Sequence, residues 1–403
     1  MKTIDVFFKS LAEDRKNRAI AILLSGSNND GSAGIEAVRA AGGITIAQDP
    51  STAEFTEMPR AAIATGSVDK VLDLWAIARE LITISQHPYL YEPPPQTSEA
   101  SSFGDEDLAP VFGLLQNKIG INFSTYRRTT FGRRLKRRMA LHSISDLNDY
   151  IQYLHDHPSE VDALYRDVLI SVTSFFRDKE VYQAVKERII PSVWAYRSSA
   201  QPSQSIRLWV PGCASGEEVY SLAICLLEWK SQMNAAPSIQ IFGTDINDRA
   251  IEEARLGIYR ESRLENVSAE RRRLFFTEVE GGYQIKKAVR ELCIFARHDL
   301  GSDPPFSDLD VVSCRNVLIY FQSSLQQRVL SIFHYSLRAS GFLILGNAES
   351  VGNTSELFSI EDSDAKIYTR KAVSSRLNLD FVNSSTIQQA AQNPRPFSTS
   401  WEN

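Results

Sequence analysis

The stretch LWVPGCASGEEVYSLAICLLEWK, residues 208–230, narrows the fold of this 403-residue chain more than any other. An apolar run, Leu208-Trp209-Val210, stops at Pro211-Gly212; small residues follow, then two adjacent carboxylates, Glu217 and Glu218, then a helical pattern. A strand that stops this sharply and re-enters as a helix leaves backbone exposed at the carboxyl end of a doubly wound sheet, where such folds bind nucleotide-like ligands. Two acids at the mouth of the turn oppose a phosphate. They suit a ribose or a positively charged ligand.

The rest of the chain supports an α/β reading. From about Leu208, strands and helices alternate: SIRLWV, the helix after Gly216, IQIFGTD, DRAIEEARLG, LDVVSCRN, a helix around SSLQQRVLSIFHYSLRASG, FLILGNAES and AKIYTRK. Alternation of this kind predicts a parallel sheet covered on both faces. Residues 107–177 repeat apolar side chains at spacings of three and four and read as a small helical subdomain ahead of a sheet domain over 178–371. Residues 88–106, rich in Pro and Ser, read as a linker, and residues 372–403 as a disordered tail. Residues 1–87 form a partial α/β segment: AIAILLSG and ITIAQ as strands, GSAGIEAVRAAGG, MPRAAIATG and VLDLWAIARELITISQ as helices.

Composition excludes several classes. The net charge of -5 argues against nucleic acid as a partner of the whole chain. Four scattered cysteines predict reduced thiols in a cytoplasmic protein, with no disulfide frame and no metal site. No signal peptide and no apolar run of about 20 residues is present, so direct membrane insertion is not expected. Against the acidic background stands YRRTTFGRRLKRRMALH, in which Arg127, Arg128, Arg133, Arg134, Lys136, Arg137 and Arg138 follow one another with no acid between them. A solvated helix face or an RNA-binding patch are the plainer readings; one aromatic within the run, Phe131, falls short of the interleaved platform that base stacking needs. The run reads best as a docking surface for an acidic partner.

Three further strand ends carry polar residues on the same sheet edge as the glycine turn: Asp245, Asp299-Leu300 and Arg315-Asn316. Alone, Asp245 is a helix cap, Arg315 a surface charge and the glycine turn a tight corner; together they mark a ligand site. Residues 107–371 resemble the CheR family of chemoreceptor glutamate methyltransferases, which use S-adenosylmethionine, through SVTSFFRD, GCASGEEVYSLA, FGTDIN, ARLGIY and SCRNVLIYF. The resemblance implies a Rossmann-like methyltransferase domain with a small β-subdomain, whose turn is expected at Gly281-Gly282. It implies cofactor contacts from Ser171, Thr173, Arg177, Glu217, Asp245, Asp299, Leu300, Arg315 and Asn316. Arg315 and Tyr320 would stand at the methyl-transfer point as catalytic residues, and the basic helix would face the cytoplasmic methylation helices of chemoreceptors. The chain departs from the family at Ser171 and Asp299, where Asn is usual, and at GNAES (346–350).

The N-terminal stretch LLSGSNNDGSAG and its continuation to ATG resemble the C-terminal part of the CheB receptor methylesterase. Asp30 falls where that family places the acid of its catalytic triad, whose task is to orient the histidine. His87 and the serines of the segment match neither the serine nor the histidine motif, so the segment reads as an inactive esterase remnant or the end of a longer gene product. One edge of its sheet needs cover from the second domain or from an esterase or regulator partner. Protein-glutamate O-methylation is thus the leading expectation. A receptor-docking scaffold without catalysis, and a methyltransferase acting on a small acid or nucleic acid, are the alternatives.

Overall fold

The structure is a computed structural model and describes residues 2–91, 103–169, 173–200, 205–233 and 237–373. The expected tail from residue 374 onward, the centre of the expected linker and Ser171 lie outside the described residues.

The N-terminal segment folds around a three-stranded parallel sheet, β1 (Ile20–Leu23), β2 (Ile44–Gln48) and β3 (Lys70–Leu72), in that order. Alternation along β1 sends Ala21 and Leu23 to one face, against Ile35 and Val38 of helix Ser32–Ala41. Ile20 and Ile22 turn to the other face, towards Ile77 and Ile84 of helix Leu74–Ser85. A helix over Thr3–Arg15, not expected from the sequence, buries Phe8 and Ala12 in the first cluster. Val6 and Phe7 of the same helix point to solvent, which blurs its apolar stripe. The second unit packs helices Asp105–Ile119, Arg128–Leu141, Leu147–Asp156 and Pro158–Val168 around Phe123, Phe131, Leu135, Tyr150 and Leu164.

The third unit holds β4 (Ile206–Pro211), β5 (Ile239–Asp245), β6 (Ile258–Tyr259), β7 (Phe276–Val279), β8 (Gly282–Ile285), β9 (Cys293–Arg297), β10 (Leu309–Cys314), β11 (Leu337–Leu345), β12 (Phe358–Asp362) and β13 (Ile367–Arg370). Seven of these form one sheet in the order β12-β13-β11-β10-β4-β5-β9. The five strands from β11 to β9 run parallel, with apolar clusters on both faces. The expected all-parallel sheet is corrected at one edge, where β13 is antiparallel to β11 and β12. No helix joins β12 to β13; a tight turn does, in which the Asp362 carboxylate accepts from the amides of Asp364 and Ala365. A short turn can join only antiparallel neighbours. β6, β8 and β7 make the small antiparallel subdomain, with Gly281 and Gly282 at positive φ in its hairpin. Among the described residues, no helix is long and apolar enough to cross a membrane.

The basic run is helix Arg128–Leu141, and its placement corrects the expectation of a continuous docking surface. Arg134 and Arg137 are buried, at 1% and 0% exposure, and face the N-terminal segment. Arg134 donates to the carbonyls of Arg39 (3.1 Å) and Ala40 (2.6 Å). Arg137 donates to the Gly43 carbonyl (3.0 Å), to Asp167 (2.5 Å) and to Asp69. Arg39 of the segment completes the cluster by reaching Asp167 at 2.9 Å. Arg138 turns inward to Glu160, and Arg128 pairs with Asp105. Helix-end carbonyls take donors from outside the helix; the Gly42 amide gives one to that of Arg39 at 3.0 Å, with room on the oxygen for a second. The arginines supply further donors and are neutralised by Asp69 and Asp167 within the same interface. Leu141, from the same basic helix, fills the segment's second apolar cluster.

Two expected outcomes follow from these ion pairs. Replacing Arg137 by Met leaves Asp69 and Asp167 with less compensation, and breaking a buried pair from one side costs about 3–5 kcal/mol; chemical denaturation of the full chain measures it. Glu160 gives a pH signature. Burial alone would raise its carboxyl, but hydrogen bonds from His142, Arg138 and Tyr150 outweigh it and hold the pKa down, from 4.5 to about 2. The stabilisation from a depressed carboxylate is complete above the unfolded pKa and lost as pH falls through the folded one. The stability gap between wild type and Glu160→Gln should therefore be constant near neutrality and close between about pH 4.5 and pH 2.

Candidate cofactor cleft

The carboxyl ends of β4, β5, β9 and β10 open into one cavity of about 620 Å³, roofed by the helical unit. Its floor begins at the turn after β4. Gly212 (φ +67°) and Gly216 (φ +92°) both adopt left-handed backbone. A Cβ on Gly212 would overlap the Val317 side chain, so glycine lets this turn approach the loop after β10. Asp245, the last residue of β5, accepts from the amide of Ala214 (2.9 Å) on one carboxylate oxygen and from that of Asn247 (2.9 Å) on the other. Burial raises its pKa, and those amides oppose the rise. Each oxygen retains a lone pair for a ligand hydroxyl.

Of the residues expected from the sequence, Thr173, Arg177, Asp245, Asp299, Leu300, Arg315, Asn316 and Tyr320 line this cavity together. Glu217 does not. Its buried carboxylate turns away to Ser215 (2.8 Å) and Arg263 (3.0 Å), and Glu218 faces the cavity instead. Successive helix residues point about 100° apart. Both faces of helix Glu217–Lys230 are buried, so no amphipathic stripe set the phase in advance. Glu218 accepts from Ser313 (2.5 Å) and lies 3.5 Å from Arg315. Burial raises its pKa, while Arg315 and Ser313 act to lower it.

Arg315 is engaged within the protein. Its guanidinium donates to the Arg177 carbonyl (2.9 Å) and to Asp178 (2.5 Å), besides facing Glu218. The Asp299 carboxylate folds back on its own turn, accepting from Gly301 N (2.8 Å) and Ser302 Oγ (2.9 Å). The next residue, Leu300, is buried beside it. Of the basic run, Arg127 and Arg133 reach the cavity wall; Arg127 is tied to the Phe321 carbonyl at 3.1 Å, whereas the Nε of Arg133 is buried without a hydrogen-bond partner.

Two features go beyond what the sequence reading gave. Glu349 is a buried clamp: its carboxylate accepts from the amides of Gly346 (2.7 Å), Asn316 (2.9 Å), Val317 (2.8 Å) and Ile319 (3.3 Å). It holds Asn316 at φ 61°, a strained value for a non-glycine residue. The apolar side of the cavity comes from Tyr126, Phe131, Val168, Leu169 and Phe321. Tyr126, Phe131, Val168 and Leu169 read in the sequence only as part of the helical subdomain, and Phe321 only as the end of the SCRNVLIYF motif. Asp30 lies in the N-terminal segment, outside the cavity lining, and caps helix Thr3–Arg15 by accepting from the amides of Ile4 (3.1 Å) and Asp5 (3.0 Å).

Comparison with known proteins follows this architecture. Residues 171–367 match the family described as CheR methyltransferase, SAM binding domain; residues 106–169 match CheR methyltransferase, all-alpha domain; residues 1–81 match CheB methylesterase. A putative methyltransferase, Cher3, of Pseudomonas putida is 36% identical over 254 residues, covering 59% of this chain and 88% of that protein. A chemotaxis protein methyltransferase of Borreliella burgdorferi is 26% identical over 257 residues, 62% of this chain and 90% of its own length. An uncharacterized 104.1 kDa protein of Rhodobacter capsulatus is 36% identical over 384 residues; the match takes in 91% of this chain but only 40% of that longer protein. The chain belongs to the CheR methyltransferase family, carrying its all-alpha and S-adenosylmethionine-binding domains behind a CheB-type segment.

Proposed function

We propose that this chain transfers the methyl group of S-adenosylmethionine to glutamate side chains of chemoreceptors, giving methyl esters. The observation that carries the reading is the cleft itself: carboxylates at strand ends and guanidinium groups of the helical side face one cavity. In this reading Asp245 holds the ribose hydroxyls, whose hydrogen bonds favour the ionised carboxylate that burial disfavours. Leu300 and the Asp299 turn flank the adenine, and Thr173 and Arg177 take the amino-acid end. Glu218, in place of Glu217, presents negative charge towards the cationic ligand.

The cofactor supplies an activated methyl on a good leaving group. The incoming carboxylate is ionised at neutral pH, so no general base is required. An O–CH3 bond forms, the S–CH3 bond breaks with its electron pair going to sulfur, and no proton moves. The task left to the chain is alignment, for which proximity and orientation are the dominant contribution. Arg133 and Arg177 suit the approach of an acidic side chain; among the described residues no ion pair occupies either. Arg315 acts as a brace between Asp178, Glu218 and the Arg177 backbone, and Tyr320 contributes cavity wall beside it. Residues 1–87 act as a structural unit without esterase activity, with Asp30 serving as a helix cap. The names of the chemotaxis relatives support the receptor as substrate.

Titration calorimetry with S-adenosylhomocysteine tests the reading. Micromolar binding to the full chain, weakened at least tenfold by Asp245→Ala, is the expected outcome. A wild-type chain that does not bind would remove the methyltransferase reading and favour a receptor-binding scaffold.

A further inference from the structure

The CheB-type segment touches both lips of the cleft. On one side, helix Ser32–Ala41 receives Arg134 at the carbonyls of Arg39 and Ala40, and Arg39 reaches Asp167 of the helical unit at 2.9 Å. On the other, Glu36 of the same helix lies 3.5 Å from Arg263, beside the small β-subdomain. Arg260 donates to the Ala64 carbonyl, and Lys9 pairs with Glu265 at 3.3 Å, on that same side. Glu36 and Arg39 are three residues apart and so share a helix face. One holds each lip, and Ala40, next to Arg39, lines the cavity.

The second contact leads directly into the site. The Nη1 of Arg263 donates to Glu217 (3.0 Å) and to the carbonyl of Thr173 (3.3 Å). Thr173 is a cavity residue, and Glu217 heads the helix whose next residue, Glu218, faces the cavity. Arg263 therefore ties together the two stretches that border the cleft, and Glu36 shares its charge.

We propose that the CheB-type segment is a fixed lip of the cofactor cleft, and that Glu36 and Arg39 are positioning residues that set how tightly the cofactor is held. The proposal rests on the reading of the cavity as the S-adenosylmethionine site. Domains joined in one chain move relative to each other unless an interface restrains them. A bracket across both lips removes that freedom before the ligand arrives, and preorganisation of this kind raises affinity by reducing the ordering cost of binding. It does not touch the reacting atoms, so its effect falls on cofactor affinity and not on turnover of the bound complex.

The test uses the full chain. Dissociation constants for S-adenosylhomocysteine are measured by calorimetry on wild type, Glu36→Gln, Arg39→Gln and the double variant, alongside thermal unfolding midpoints. The expected result is a rise in Kd of about threefold or more for Glu36→Gln and at least tenfold for the double variant, with Glu36→Asp restoring most of the loss. Wild-type binding together with variant affinities within twofold of it overturns the proposal, including the case in which only the unfolding midpoint falls. A wild type that fails to bind overturns the cofactor reading, and the proposal with it.

Discussion

The guanidinium of Arg137 is the joint on which this architecture depends. It is fully buried between Asp69 of the CheB-type segment and Asp167 of the helical unit. Burial alone would push the Asp167 carboxyl up, but Arg137, Arg39 and Arg138 outweigh it and hold it well below the usual range. A charge withdrawn from water is tolerable only with such complete pairing. Because Arg137 of the helical unit reaches Asp69 of the segment, and Arg39 of the segment reaches Asp167 of the helical unit, the pairing is satisfied only when the two are docked. The helical unit thereby takes a fixed place above the sheet edge, and the cleft acquires its roof.

Under that roof, the site is assembled from backbone at least as much as from side chains. Glycine turns bring the β4 loop against the β10 loop, and the Glu349 carboxylate gathers the amides of the β10 loop into one strained conformation. Charge-assisted hydrogen bonds to several amides are strong enough to hold such a backbone. Asp245 and Glu218 can then face the cavity as half-buried carboxylates, poised for a ligand with hydroxyls and a positive charge.

Much of this was legible in the sequence, and the gaps have physical causes. The strand-end residues Asp245, Leu300, Arg315 and Asn316 could be placed on one edge because parallel crossovers force successive strand ends to the same side. The choice between Glu217 and Glu218 could not be made, because a helix buried all round carries no phase. The basic run misled for a different reason. Seven cations without a neighbouring acid read as a free surface, but Arg128, Arg137 and Arg138 find acids, Asp69, Asp105, Glu160 and Asp167, that lie 22 to 68 residues away and are brought in only by tertiary packing. Arg134 needed no acid at all, since it binds the carbonyls of Arg39 and Ala40 at a helix end. The antiparallel β12-β13 edge was missed for a different reason: β12 was not read as a strand, so the tight turn between Asp362 and Ile367 that reverses the chain was not read either.

The central claim is chemical: a methyl group passes to a carboxylate oxygen. The most direct measurement incubates the full chain with methyl-labelled S-adenosylmethionine and a cytoplasmic chemoreceptor fragment, then treats the labelled product with mild base. The account predicts label on the fragment that base releases as volatile methanol, as a carboxyl methyl ester requires. Label that survives base, or that appears on no receptor fragment while accumulating on another acceptor, would contradict it.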